Sequence, residues 1–107
     1  MSKSTFKFNK PVQTIAKYAR DRKGNPIGLV AAFRDTDNKV KIGWSFKHKL
    51  DRFDRNVAWA SAVGKARVEA DRAMDKLLPY ALYQIYNEVT ERAIRYFKVA
   101  GEDIVRR

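Results

Sequence analysis

The side chains best suited to chemistry in this sequence are cations grouped at predicted turns and strands. Arg20, Arg22 and Lys23 lie together beside Gly24 and Asn25, a composition typical of an exposed hairpin tip. Such a tip can lie against a phosphate backbone, because Lys and Arg side chains bind and neutralise phosphates. The same residues would otherwise form an ordinary charged, solvent-exposed turn.

A second set of cations lies along the strand predicted over Val40–Phe46 and just beyond it. Lys39, Lys41, Lys47 and Lys49 share odd numbering, which places them opposite Trp44 on one strand and its exit. An arginine can also read guanine through two hydrogen bonds, so Arg34 is a further candidate. The predicted nucleic-acid-binding residues are Lys17, Arg20, Arg22, Lys23, Arg34, Lys39, Lys41, Lys47 and Lys49.

Two short acidic groups, Asp35 with Asp37 and Asp51 with Asp54, supply the other candidate chemistry. Paired carboxylates can hold Mg²⁺ for phosphodiester cleavage, so a metal-dependent nuclease is the enzyme alternative. Turn formation and helix capping explain all four without a metal. His48 has no recognisable catalytic partner, and no nucleotide-binding loop or nucleophile motif occurs. We therefore expect a non-enzymatic protein with no metal and no cofactor.

The composition limits the class of protein. A chain of 107 residues with 45% hydrophobic residues predicts one folded domain. It has no cysteine and one histidine, which excludes disulfides and a histidine metal cluster within one chain. Neither a secretory signal nor an apolar run long enough to span a bilayer is present, so we expect a cytoplasmic protein.

The net charge of +11 is concentrated in the first half of the chain. Residues 1–50 contain 12 basic and 3 acidic residues, whereas residues 51–107 contain 11 and 9. One-sided positive charge attracts anionic partners. We expect nucleic acid, with duplex DNA as the favoured form; the alternative is a non-enzymatic inhibitor or modulator that docks on an acidic surface of a host enzyme. A membrane partner is not expected, because no basic amphipathic helix accompanies the charge.

The first half is predicted to form strands over Ser4–Lys10, Val12–Arg20, Ile27–Phe33 and Val40–Phe46. Short turns between them favour an antiparallel meander with Ile27–Phe33 in the middle. The side chains of Gly28, Val30, Ala32, Gly43 and Ser45 would then form a flat outer face with cationic edges. Such a face suits nucleic-acid docking or is simply solvated. Trp44 and Phe46 could stack on bases, but their phase with Val40 and Ile42 favours the core.

The second half is predicted to be helical. One helix begins near an N-cap at Asp51, and Gly64 within it would allow close packing. Pro79 separates it from a second helix over residues 80–100, which Gly101 would terminate. Tyr80, Tyr83 and Ile94 lie off that helix's main apolar stripe. This surface would either form a homodimer through the C-terminal helix or be filled by Phe6, Phe8 or Tyr18 from the first half.

The predicted architecture is therefore a single α+β domain. It has a three- or four-stranded antiparallel sheet with two C-terminal α-helices packed on one face. Residues 1–50 form the basic sheet part, residues 51–100 a helical hairpin, and residues 101–107 a loose tail.

Two parts of the sequence resemble known proteins, one in its motifs and the other in its architecture alone. Val40–Phe46, Asp51–Arg55 and Ala62–Ala66 together resemble a strand, "DxF" and "AxGxA" helix pattern in small accessory proteins of tailed bacteriophages. That resemblance implies a phage origin more than a function; small basic proteins of such phages have roles that include DNA binding and interference with host machinery. The three-strand-then-helix layout, with Gly28–Asp35 as a strand, is similar to AP2-type DNA-binding domains, whose sheet enters the major groove. The arginine- and tryptophan-rich first strands of that family are not matched here.

Overall fold

The computed structural model describes residues 13–47, 52–67 and 78–106, and their fold is α+β. A four-stranded sheet has the order β1-β2-β3-β4, in which β1, β2 and β3 are antiparallel and β4 runs parallel to β3. The elements in chain order are β1 (Thr14–Arg20), β2 (Pro26–Arg34), β3 (Val40–Phe46), α1 (Arg55–Arg67), a 3₁₀ turn (Tyr80–Leu82), α2 (Tyr83–Phe97), a second 3₁₀ turn (Gly101–Asp103) and β4 (Ile104–Arg106).

The antiparallel meander confirms the strand predictions in this part of the chain. β3 has the predicted bounds, and β2 lies in the middle as expected. Two tight turns fix the register, with Leu29 opposite Tyr18 on one side and Ser45 on the other. The strand predicted over Ser4–Lys10 lies outside the described residues.

Both faces of the sheet are covered, so the prediction of two helices on one face is wrong. Leu29, Ala31 and Phe33 pack under α1. Val30 and Ala32, on the other face of β2, pack under α2. An almost unbroken apolar strand is typical of a sheet buried on both sides. The residues of the flat outer face predicted for nucleic-acid docking are therefore buried on two different faces, since Val30 and Ala32 pack under α2 whereas Gly43 and Ser45 lie under α1. Neither face is open to a groove in the way that the AP2-like layout implied.

The close approach of α1 depends on Gly43 in β3. A Cβ placed on Gly43 would lie 2.1 Å from the carbonyl oxygen of Ala62 and 2.9 Å from Cβ of Ala66. Next to it, the Ser45 hydroxyl donates a 2.9 Å hydrogen bond to the Ala58 carbonyl. The expectation that Gly64 allows close packing is wrong, since a Cβ there would meet nothing within 4 Å.

The C-terminal segment departs from prediction at the end of α2 and in the tail beyond it. The helix ends at Phe97, and its C-cap Lys98 has a left-handed backbone (φ 56°) with its N–H on the Ile94 carbonyl, whereas Gly101 begins a 3₁₀ turn. Residues 104–106, predicted to be loose, pair with β3 as β4, and Ile104 is buried. Apolar residues on alternate sides of a short strand explain the pairing.

The surface predicted to mediate dimerisation is partly present. Tyr80 and Tyr83 are exposed and meet edge to face at 5.8 Å, whereas Ile94 packs against the core. Dimerisation through this helix stays a prediction. No helix in the described ranges is long and apolar enough to cross a membrane.

Candidate nucleic-acid interface

The structure separates the predicted cations into two groups at opposite ends of the sheet. Arg20, Arg22 and Lys23 lie at the β1–β2 turn, and Lys47 follows β3 at the same end, where its N–H donates to the Ile27 carbonyl. Arg34, Lys39 and Lys41 lie around the β2–β3 turn. The nine residues of β2 separate the two turns by roughly 30 Å at about 3.3 Å per residue. A single flat surface does not contain all of them.

The cations around the β2–β3 turn are used in intramolecular contacts. Arg34 donates to the carbonyls of Asn38 and Phe97 and lies over the Phe97 ring. Lys41 forms ion pairs with Asp35 at 2.9 Å and Asp37 at 3.1 Å. These contacts connect the turn to α2 and hold its two carboxylates. Arg34 and Lys41 therefore have structural roles in this turn, and their contact with nucleic acid stays a prediction.

Lys17 is also paired, and it belongs to neither of the two groups of cations. It forms a 2.6 Å ion pair with Glu88, across from β1 to α2. Lys39 is exposed beside the β2–β3 turn, far from the first group of cations. His48, Lys49 and Asp51 lie outside the described residues.

Asp35 is the best-connected ionisable group of the described structure. Its buried carboxylate accepts two hydrogen bonds from the Arg67 guanidinium, at 3.0 and 2.9 Å, and one from Lys41. The Thr36 N–H adds a fourth at 2.8 Å. The Arg67 guanidinium, followed by burial acting in the opposite sense and by Lys41, holds the pKa of Asp35 well below its ordinary 3.8. This arrangement fixes the last turn of α1 to the β2–β3 turn.

We expect the Asp35 ion pairs to make stability fall in acid. Because the pKa of Asp35 is lower in the folded than in the unfolded chain, its contribution is complete above about pH 4 and is lost as the pH falls below that. Asp35→Asn should lower the free energy of unfolding by about 2–3 kcal/mol at neutral pH, measured by urea denaturation. In this variant the free energy of unfolding should also fall less steeply as the pH is lowered below about 4. Asp103→Asn, at an exposed position, is the control; equal losses in both variants would contradict this role.

These contacts also bear on the metal-site hypothesis. Asp35 and Asp37 accept bonds from cations, and Asp54 caps α1 by accepting the N–H groups of Asn56 and Val57 at 2.9 and 3.2 Å. The N-cap of α1 is therefore Asp54, whereas the sequence predicted Asp51. Within the described ranges, no three or more His, Asp or Glu side chains come together. The carboxylates have structural roles here.

The β1–β2 turn is held in one conformation by its own polar groups. Asp21 accepts the N–H groups of Lys23 and Asn25, both at 2.9 Å, and Gly24 adopts φ 87°, which favours glycine. Arg20 donates to the Gly24 carbonyl at 2.9 Å. Bonds to the turn backbone lower the pKa of Asp21, so it stays ionised. The turn thus projects Arg22 and Lys23 into solvent from a fixed base.

Sequence reasoning missed two cations that the fold adds to this end. α1 runs antiparallel to β3, since Ala58 lies over Ser45 and Ala62 over Gly43. Its first residues therefore return to the end of the sheet that carries the β1–β2 turn. We name the six cations gathered there the basic end: Arg20, Arg22, Lys23, Lys47, Arg52 and Arg55. The short connection between β3 and α1 could have indicated the last two.

Arg55 is positioned by aromatic packing. Its guanidinium lies 5.9 Å from the centre of the Tyr18 ring, which meets Phe53 edge to face at 5.8 Å. The Trp59 indole N–H donates to the Tyr18 hydroxyl at 3.1 Å. Within the described ranges, neither Arg52 nor Arg55 forms an ion pair with a carboxylate. Both cations can therefore meet an external anion.

The described charge is polarised between the two helix layers. The β1–β3 segment has eight basic and three acidic residues, and 52–67 has four and one. Residues 78–106 have four of each, so the α2 side is neutral. The C-terminal half as a whole was predicted to mix its charges, which holds for α2 but not for the start of α1.

The large apolar side chains of β3 are buried except at its last position. Val40, Ile42 and Trp44 are buried, as the strand phase predicted. Phe46 is 40% exposed, although it was predicted to be in the core with them. Phe46 lies at the end of β3, whereas β4 pairs only with residues 40–42 and does not extend beside it.

Comparison with known proteins adds no relative to this picture. No family model, curated protein or solved structure matches the chain. The geometry and charge of the described residues therefore carry the functional conclusion.

Proposed function

We propose that this protein binds duplex DNA through the basic end and has no enzymatic role in doing so. The observation that carries the proposal is the gathering of six cations from three separate segments at one end of the sheet. Among the described residues there, two are carboxylates, Asp21 and Asp54, and both accept backbone N–H groups. A phage-type accessory role, as the sequence resemblance implies, is part of the same proposal.

The β1–β2 hairpin is the element best shaped to meet DNA. The major groove of B-DNA is about 12 Å wide and admits a two-stranded β-ribbon. The hairpin tip is exposed from Arg20 to Asn25, and its internal hydrogen bonds limit the entropy lost on docking. Arg22 and Lys23 would then contact phosphates or base edges at the groove.

The cations at the start of α1 would contact the flanking backbone. Lys47, Arg52 and Arg55 come from segments beside the hairpin base, so they extend the positive surface beyond its tip. Contacts of this kind position a protein on DNA without reading sequence. We therefore propose binding dominated by phosphates, with little dependence on sequence.

Fluorescence anisotropy with a labelled duplex tests the proposal. We expect micromolar or tighter binding at low salt. Absence of binding at low salt would overturn the proposal and would direct the search to an acidic protein surface, the alternative that the charge also fits. Single-stranded DNA and RNA of matched length, measured in the same series, establish which nucleic acid is preferred.

A further inference from the structure

We infer that the outer edge of β1, together with the cleft between β1 and α2, binds an extended acidic segment of a partner protein as an added strand. The cleft has a volume of about 280 Å³ and is lined by Ile15, Arg92, Arg95 and Tyr96. Ile15 lies near the start of β1, whereas the basic end lies at the other end of this strand. The inference therefore concerns a second surface and goes beyond the proposed binding of DNA.

The two arginines of the cleft have no anionic partner among the described residues. Arg92 and Arg95 are exposed and three residues apart on α2, which places their Cβ atoms about 5–6 Å from each other. Glu88 and Glu91 on the same helix form no ion pair with them, and Glu88 is instead paired with Lys17. Two adjacent guanidinium groups are complementary to carboxylates, to which arginine can donate two parallel hydrogen bonds.

The backbone of β1 offers hydrogen bonds beside this cleft. In the described sheet, β1 is the first strand and pairs only with β2. The Arg34 N–H donates to the Gln13 carbonyl, so the odd-numbered residues of this antiparallel strand bond to β2. The N–H and C=O groups of Thr14, Ala16 and Tyr18 therefore point away from the sheet. An extended peptide can pair with such an edge through its own backbone.

One segment can use the edge and the cleft together, because α2 runs alongside β1. Glu88 meets Lys17, whereas both arginines of the cleft lie beside Ile15, so the helix is antiparallel to the strand. A strand added to β1 would therefore pass both arginines in turn. It would also cover Tyr96, which is 58% exposed and meets the Phe97 ring edge to face at 4.9 Å.

The two sides of β1 determine which side chains the added strand needs. Arg92 and Arg95 lie on the α2 side, so residues that point there should be acidic. Ala16 and Tyr18 are half-buried against the apolar cluster under α1, so residues that point to that side should be apolar. Residues on one side of a strand are about 7 Å apart, a spacing that long Glu and Arg side chains can match. The partner segment should therefore alternate acidic and apolar residues.

Fluorescence anisotropy with a labelled peptide tests this inference on the whole chain. The probe has about eight residues that alternate Glu and Val, which is enough to span the seven residues of β1. We expect it to bind at least about 10-fold more tightly than two control peptides. One control has Lys in place of Glu, and the other keeps the charges but has N-methylated amides that cannot pair as a strand.

Each peptide result decides a different part of the inference. An N-methylated peptide that binds as tightly as the probe would overturn the added strand. A Lys peptide that does so would overturn the role of the two arginines. If the probe itself does not bind, the inference as a whole is overturned, and the proposed binding of DNA at the basic end is unaffected.

Two double variants at exposed positions locate the site and change the net charge by the same amount. Arg92→Glu/Arg95→Glu should weaken binding of the probe at least about 10-fold and keep duplex binding, whereas Arg22→Glu/Lys23→Glu should keep binding of the probe. Circular dichroism checks that both variants fold. Equal losses of probe affinity would overturn the assignment to this cleft. Loss of duplex binding in Arg92→Glu/Arg95→Glu would also overturn it, because the cleft would then belong to a nucleic-acid surface.

Discussion

Reversing the charge of two exposed hairpin residues should weaken duplex binding more than any other surface change. In Arg22→Glu/Lys23→Glu, two phosphate contacts are lost and two repulsive charges replace them. Each lost contact removes about 0.9 from the slope of log K against log salt, so two contacts correspond to about 30-fold at 0.15 M salt. Anisotropy with a blunt duplex measures this loss. Arg20 is left unchanged because it supports the turn through Gly24.

A matched double variant separates local contact from net charge. Arg92→Glu/Arg95→Glu changes the net charge by the same amount on exposed positions of α2, on the neutral side of the molecule. We expect it to bind the duplex within about threefold of the unaltered chain, because charges beyond a Debye length of about 8 Å are screened. An equal loss of duplex affinity in the two variants would mean that the net charge of the protein, and not a defined site, determines binding.

The largest expected effect on stability comes from Gly43→Ala. The new Cβ would lie 2.1 Å from the Ala62 carbonyl oxygen, which belongs to the backbone of α1 and cannot rotate away. α1 would have to move off the sheet, which should cost about 3 kcal/mol or more. In a domain of this size, that lowers Tm by at least about 12 °C. Thermal denaturation followed by circular dichroism measures the change.

Gly64→Ala, in α1, is the control for this substitution in β3, because it adds the same methyl group at a position where nothing lies within 4 Å. Alanine is about 1 kcal/mol better than glycine in a helix, so this variant should be more stable than the unaltered chain. A Gly43→Ala variant as stable as Gly64→Ala would contradict the packing of α1 on β3.

Local patterns predicted the strands of this protein well. Alternating apolar residues and turn-forming residues between them determine β2 and β3, and the structure confirms the middle position of β2. The same patterns could not assign helices to faces. β2 has small apolar residues on both faces, and the alanine-rich α1 offers no single apolar stripe narrow enough to select one.

The contacts that organise the site were harder to predict because they are distant in sequence. Asp35 and Arg67 are 32 residues apart, and no local pattern joins them. The strand lengths alone indicate that the two turns lie at opposite ends of the sheet. That inference would have separated Lys41 from the hairpin cations. Arg52 and Arg55 can be placed at the basic end only when the direction of α1 is known. That direction follows from the packing of α1 over Gly43.

The salt dependence of duplex binding tests the central claim most directly. If all six cations of the basic end contact phosphates, log K should fall linearly with log salt with a slope of about −5, and partial engagement gives a smaller value. In Arg22→Glu/Lys23→Glu, the slope should decrease in magnitude by about 2. A slope near zero, or one that the double variant leaves unchanged, would contradict binding of DNA at the basic end.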